Sequence, residues 1–246
     1  MTMSPPAQEK MDLIKKDVLT ALKAGAPAVA AFDADGTLWK TDMGENFFQY
    51  KIENRLVRLP ADPWAHYEML KKRSHPEAYL WLAQILEGQS LEQTRHWAKQ
   101  ALRKFEKGVP VFPWMQDLIQ FLKSEGVAVY IVTASIKWAV EPAAETVGLN
   151  YDDVIGIETE VLSGVVTSAQ KGIITYREGK TEALLARTGG KAPVLAAGNT
   201  MGDFALLQSA QVRFANVSDQ PHEGNYATET ELLLHAKNSG WHWHKS

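Results

Sequence analysis

At 246 residues, with 45% hydrophobic and 22% charged residues and a formal net charge of -3, the chain has the composition of an ordinary soluble globular protein. Its charge balance lacks the basic excess of a nucleic-acid binder, so nucleic acid is not an expected partner. The absence of cysteine excludes disulfides, thiolate metal sites and cysteine nucleophiles, and it suits a reducing cytoplasm.

The opening MTMSPPAQEKMDLIKK has no apolar stretch behind a basic one, and no window reaches the roughly 18 apolar residues of a spanning helix. The expectation is an unexported, cytoplasmic protein without a membrane partner. Residues 9–24 place Met11, Ile14, Val18 and Leu22 at helical spacing between charges, which predicts an amphipathic helix ended by Gly25 and Pro27. Residues 27–32 (PAVAAF) read as a strand buried on both faces, delivering DADGT to the loop at its carboxyl end. Ligands of open α/β sheets bind at that end.

From about 41 to 112 the strand pattern stops. The segments HPEAYLWLAQILEG and SLEQTRHWAKQALRKFEKG carry apolar residues at helical spacing, with starts at Ser74 and Ser90. Beyond this helical insert, a helix is predicted over 113–124, a strand over 127–132, a loop at Thr133 and a helix through Trp138 and Val147. Residues 154–168 hold two β-branched runs around Ser163-Gly164 and predict a hairpin. A helix from near Lys180, a strand over 194–198, the helix DFALLQSA and a strand over 212–217 follow. Such alternation implies a mostly parallel sheet covered on both faces. The closing SGWHWHKS, with its two histidines and two tryptophans, reads as a frayed or docked terminus, with metal binding as the alternative.

The chemistry concentrates in Asp33-Ala34-Asp35-Gly36-Thr37. Side chains two apart in an extended segment share a side, so both carboxylates can reach one substrate. Asp33 can attack phosphorus, while Asp35 gives a proton to the leaving oxygen and later takes one from water. A metal must offset the negative charge that carboxylates and a phosphate collect there. Alone, an Asp-x-Asp pair also occurs in solvated turns. Here three further features follow in order: Thr133 in IVTAS after a second strand, Lys180 in REGK near a helix start, and GNTMGD at 198–203 after another strand.

With these four motifs the sequence resembles the haloacid dehalogenase superfamily, in its phosphoserine-phosphatase-like branch, over about residues 10 to 220. The resemblance implies an α/β fold with a Rossmann-like, mostly parallel sheet flanked by helices. It divides the chain into a core of residues 1–40 and 113–246 and an inserted helical cap of residues 41–112. It makes Asp33 the nucleophile and Asp35 the general acid/base, with Thr133, the neighbouring backbone N–H at Ala134, and Lys180 holding phosphate. Lys180 also neutralises the nucleophile's charge. Without the other motifs, Thr133 reads as a strand cap and Lys180 as a surface charge. Mg²⁺ is implied as the cofactor, held by the Asp33 carboxylate, the main-chain carbonyl of Asp35, and the fourth motif's Asn199 and Asp203. Asn199 departs from the family's acid at that place, which removes one negative charge. Asp203 reads independently as a helix N-cap before FALLQ.

The implied activity is hydrolysis of a small phosphomonoester through an aspartyl-phosphate, since relatives that cleave carbon–halogen bonds lack the second Asp. A phosphoserine-like substrate is the first expectation, with Asp42, or Glu45 as its rival, binding the amine, and one of Arg55, Arg58 or Arg73 binding the carboxylate. Trp39, Trp64, Trp81 and Trp97 allow an aromatic cage for a phosphocholine-type substrate instead, or serve as packing. A noncatalytic phosphate-binding regulator and a phosphotransferase or mutase remain open alternatives.

Overall fold

Every position of Val29–Phe32 is buried, as a strand covered on both faces requires. This strand, β1, lies at the middle of a seven-stranded sheet in a computed structural model that describes residues 5–218 and 225–245. The other strands are β2 (Ala128–Ile136), β3 (Val154–Leu162), β4 (Val165–Lys171), β5 (Leu195–Gly198), β6 (Val212–Val217) and β7 (His242–Lys245). Their order is β4-β3-β2-β1-β5-β6-β7. All neighbours pair in parallel except β3 and β4, which form an antiparallel hairpin. Ser163 and Gly164 at its tip have φ of 50° and 81°, as a tight two-residue hairpin turn of the primed type demands. From β1 the chain builds the sheet first to one side and then, from β5, to the other. The crevice of this topological switch therefore opens between the carboxyl ends of β1 and β5.

Alternate residues along the strands serve two cores. Ala30, Phe32, Ile131, Leu195, Ala197 and Phe214 face one hydrophobic cluster, which includes α1 (Gln8–Lys23) and α6 (Pro113–Ser124). Ala31, Val132, Ala196 and Ala215 face the other, covered by α8 (Glu178–Thr188), α9 (Phe204–Ser209) and α10 (Tyr226–Asn238). This is the period-two alternation of strand side chains, with apolar residues on both faces because both are covered.

The insert folds as α2 (Met43–Glu53), α3 (Pro63–Arg73), α4 (His75–Gln84) and α5 (Leu91–Ala101). Each helix starts where an Asp or Ser side chain accepts an amide of the first turn: Asp42 from Glu45, Asp62 from Ala65, Ser74 from Glu77 and Ser90 from Gln93. Such caps satisfy donors that the helix leaves unpaired. Phe48 gathers Trp64, Tyr67 and Trp81, with ring centroids 4.9, 5.6 and 5.5 Å away. The insert shares one hydrophobic cluster with the sheet. Arg95 of α5 clasps the fully buried Glu141 of α7 (Lys137–Ala144) through bonds of 2.7 and 2.8 Å.

The structure departs from the sequence-based expectation at several elements. Instead of ending at Val132, β2 continues through Thr133 to Ile136, with an irregular register before Ile136 rejoins Ile157. Ala134 and Ser135 are weak strand formers, but the paired ends carry them along. Helix α8 starts at Glu178, two residues before Lys180, at an Arg177 with φ of 52°. The terminus docks as β7 beside β6 and is preceded by α10, an element not read from the sequence. Its histidines take part in packing: His244 is buried edge-on to Trp114, and His242 Nε2 lies 2.9 Å from Asp17 Oδ2. Among the described residues, no helix is long and apolar enough to cross a membrane.

Candidate active site

Backbone geometry brings the motifs together at the switch point. One residue beyond β1, the Asp33 N–H still donates to Ala197 O of β5 at 2.9 Å, so Asp33 leaves the sheet beside the end of β5. The next loop turns at Gly36, with φ of 82°. A Cβ there would lie 2.2 Å from Asn199 Nδ2, and one on Gly198 would lie 2.4 Å from Asp203 Cβ. Both positions require glycine for close approach, and Gly36 also for its backbone angle.

Lys180 ties the crevice together. Its Nζ donates to Asp33 Oδ1 at 2.6 Å and to Asp203 Oδ1 at 2.5 Å, and all three residues are buried. Asp203 Oδ2 accepts from the N–H groups of Asn199 and Thr200 at 3.1 and 3.0 Å and from Thr200 Oγ1 at 3.2 Å. Asp203 therefore closes the turn that it shares with Asn199 while holding Lys180, and its side chain makes no cap bond to α9, contrary to the expected N-cap. Burial, and next the charge of Asp203, push the Asp33 carboxyl up to about 7 against the opposing pull of Lys180. Burial alone would lower the Lys180 ammonium, but Asp203 and Asp33 hold it above the usual lysine range. Two carboxylates against one ammonium leave a negative excess, which a phosphate dianion would enlarge.

Asp35 stands in a different setting. Its Oδ1 accepts from Trp39 Nε1 at 2.8 Å and from the Met43 N–H at 2.9 Å, while Oδ2 is 2.6 Å from Ser135 Oγ, the donor. Burial raises this carboxyl, and the bonds from Ser135, Trp39 and Met43 oppose the shift. Indole and amide N–H groups only donate, so a proton on Asp35 has to sit on Oδ2, where the Ser135 hydroxyl can either donate or accept. The side chain is thus arranged to carry a proton at one defined atom.

Thr133 is buried on β2, where its Oγ1 accepts from the Ser135 N–H at 3.0 Å and its carbonyl accepts from Thr175 Oγ1 at 2.5 Å. Ala134 lies half-buried between Thr133 and Ser135. Asp42 is exposed and engaged as the cap of α2, its Oδ1 accepting from the Glu45 N–H at 2.7 Å, and Glu45 lies 3.6 Å from Lys71 Nζ. Arg55, Arg58 and Arg73 are exposed, and Arg73 is paired with Glu77. Of the four tryptophans considered for a cage, Trp39 is fully buried on Asp35, Trp64 and Trp81 pack on Phe48, and Trp97 packs against the core.

The structure gives four residues contacts at the site that the sequence reading did not assign them: Thr37, Trp39, Ser135 and Glu229. Thr37 Oγ1 lies 2.9 Å from Asp33 Oδ2 and 3.3 Å from Asn199 Oδ1. Glu229 accepts from Asn199 Nδ2 at 3.1 Å. Thr37 and Ser135 stand inside the DADGT and IVTAS motifs, and their place in those motifs was the available signal. Glu229 had none.

One hydroxyl hydrogen cannot satisfy both Asp33 Oδ2 and Asn199 Oδ1, so two hard oxygen acceptors converge on a single donor. A hard divalent cation fits such a surplus. Among the described residues, no group of three or more histidines and acids gathers to hold a metal. A few protein oxygens completed by water is the coordination that Mg²⁺ favours.

Residues 30–208 match the family model of the haloacid dehalogenase-like hydrolases, more than half of the chain. Among solved structures, the fold is similar to a protein of unknown function from Bordetella pertussis Tohama I, at 19% identity over 89% of this chain and 98% of that one, with a TM-score of 0.68. It is also similar to a conserved, functionally unknown protein from Anaerococcus prevotii DSM 20548, at 17% identity over 96% and 91%, TM-score 0.71. A substrate-bound phosphoserine phosphatase shares it at 17% identity over 77% and 86%, TM-score 0.52. No curated protein sequence matches. The structural likenesses establish a common fold, and the family model establishes membership: the chain belongs to the haloacid dehalogenase-like hydrolases.

Proposed function

We propose that the chain is a Mg²⁺-dependent phosphomonoesterase that works through a phosphoryl group carried on Asp33. The observation that carries this reading is the division of labour between the two loop carboxylates. Asp33 faces Lys180 and Thr37, while Asp35 keeps its proton-bearing oxygen on Ser135. An Asp33 oxygen attacks phosphorus, the bond from phosphorus to the leaving oxygen breaks, and Asp35 Oδ2 gives that oxygen its proton. Asp35 then takes a proton from a water that attacks the same phosphorus, and the bond to Asp33 breaks to release inorganic phosphate. Lys180 offsets the charge on Asp33 throughout, and the Thr133 hydroxyl and Ala134 N–H serve as donors to the phosphoryl oxygens.

Asp33, the Asp35 main-chain carbonyl and Asn199 would hold Mg²⁺. When bound, the ion supplies charge neutralisation and polarises the phosphoryl oxygens. Asp203 belongs to the same set, and its oxygens also engage Lys180 and the Asn199–Thr200 turn. In this reading it holds both of these in place as well.

Residues 41–112 act as a cap over the crevice and select a small phosphorylated metabolite. A phosphoserine-like substrate fits the acidic pair Asp42 and Glu45 at the start of α2. The packing of Trp39, Trp64, Trp81 and Trp97 disfavours a choline cage built from them. The test is phosphate release across a panel of phosphomonoesters, with and without Mg²⁺, for the native protein and Asp33→Asn. Magnesium-dependent turnover that the variant loses is expected. Saturable binding of a phosphomonoester without any turnover would favour a binding protein instead.

A further inference from the structure

Asn199 stands where the family's fourth motif carries an acid, and its amide has two ends of nearly equal shape that differ in sign. Which end faces the site is decided by hydrogen-bond partners. Glu229 of α10 is buried, with Oε1 accepting from Asn199 Nδ2 at 3.1 Å and Oε2 accepting from the Ser218 N–H at 2.8 Å, just past β6. Both oxygens of this carboxyl accept, so it fixes the nitrogen end of the amide toward α10. The oxygen end is thereby turned to Thr37 and Asp33, where Asn199 Oδ1 lies 3.3 Å from Thr37 Oγ1. Gly36 completes the arrangement, because a Cβ there would lie 2.2 Å from the same Nδ2.

Building on the phosphatase reading above, we propose that Glu229 is a positioning residue that works through Asn199 and restores, one residue removed, the negative charge the fourth motif lacks. The carboxylate polarises the amide through its N–H, placing more negative charge on Oδ1, and it prevents the flip that would point an N–H at the cation. Asn199 and Glu229 together thus act as a carboxylate divided between two side chains. Glu229 lies outside residues 30–208, the stretch matched by the family model. The arrangement therefore depends on α10, an element whose first turn also favours a negative side chain.

The test is Mg²⁺ affinity, measured calorimetrically on the full chain without substrate, beside turnover and thermal stability in EDTA. Glu229→Gln keeps the shape but loses the charge, and its single acceptor oxygen can serve Asn199 Nδ2 or the Ser218 N–H but not both. It should weaken Mg²⁺ binding about ten-fold or more, as loss of an outer-sphere partner does, with little change in the EDTA melting temperature. Asn199→Asp with Glu229→Gln moves the charge back onto the ligand and should restore affinity to the native level or above. Affinity within about two-fold of native in Glu229→Gln would overturn the proposal, as would a double variant that binds no better than Glu229→Gln. If both variants unfold in EDTA, Glu229 is a structural anchor and the proposal fails. A native protein that neither binds Mg²⁺ nor turns over any phosphomonoester removes the phosphatase reading together with this one. Native binding and turnover with an indifferent Glu229→Gln removes this one alone.

Discussion

Lys180 and Lys51 are both buried lysines, one at the strand ends and one inside the helical insert, and their surroundings drive them in opposite directions. Lys180 meets two carboxylate oxygens at 2.6 and 2.5 Å and stays charged. Lys51 donates to Leu82 O at 2.9 Å and sits 4.7 Å from the Phe47 ring centre, with no carboxylate in ion-pair reach among the described residues. Burial pulls it down to about 7. Depth alone therefore does not mark a functional lysine. A buried cation with acids converging on it belongs to a charge network that can bind an anion or a metal, whereas one on a single carbonyl is a cost the insert's packing must offset.

The largest effect is expected of Lys180→Met. It would leave Asp33 and Asp203 facing each other without their cation, and destabilisation of about 3–5 kcal/mol is expected by chemical denaturation, together with loss of turnover. Unchanged stability would mean that the network is not what holds the crevice. Next is Lys51→Met, whose signature is its pH dependence. In the native protein Lys51 gives up its proton near pH 7 while the unfolded chain keeps it to about 10.5. The unfolded state binds more protons across that window, so this group makes stability rise with pH from about 7 toward 10. Lys51→Met should gain on the order of 2–4 kcal/mol over native at pH 6 and lose most of that advantage by pH 10. The bond lost at Leu82 O costs about 1 kcal/mol at every pH, so the slope is the test, and parallel stability curves would refute it.

Arg95→Met opens the clasp on Glu141 between the insert and the sheet. Since Arg95 is 35% exposed at its side chain, the expected loss is smaller, about 1–2 kcal/mol by denaturation. Ser135→Ala sharpens the reading at the strand ends most gently. Stability should fall by about 1 kcal/mol for the lost bond, while turnover should fall about ten-fold or more as Asp35 Oδ2 loses its hydroxyl partner. A native rate in this variant would free Asp35 from dependence on Ser135.

What was legible in the sequence follows from how local each signal is. Parallel strands covered on both faces leave continuous apolar runs, so β1, β5 and β6 were readable, and Ser74 and Ser90 announced their helices as caps. The terminal HWHK is neither apolar nor alternating, and only the open edge of β6 makes it a strand. Asp33, Lys180 and Asp203 stood out because fixed motifs carry them to the switch point. Glu229 lies 30 residues from Asn199 on a helix with no motif, and no local pattern announces a single long-range bond. Lys51 was equally silent, since a lysine on an amphipathic helix is ordinarily at the surface.

During turnover Asp33 should carry the phosphoryl group. The most direct measurement is to quench the native protein in acid while it is hydrolysing a phosphomonoester with Mg²⁺, and to locate the added phosphoryl group by peptide mass spectrometry. The group is expected on Asp33 in the native protein and absent from position 33 of Asp33→Asn, which also stops turning over. Turnover with Asp33 unmodified, and an Asp33→Asn variant that keeps its rate, would contradict this assignment.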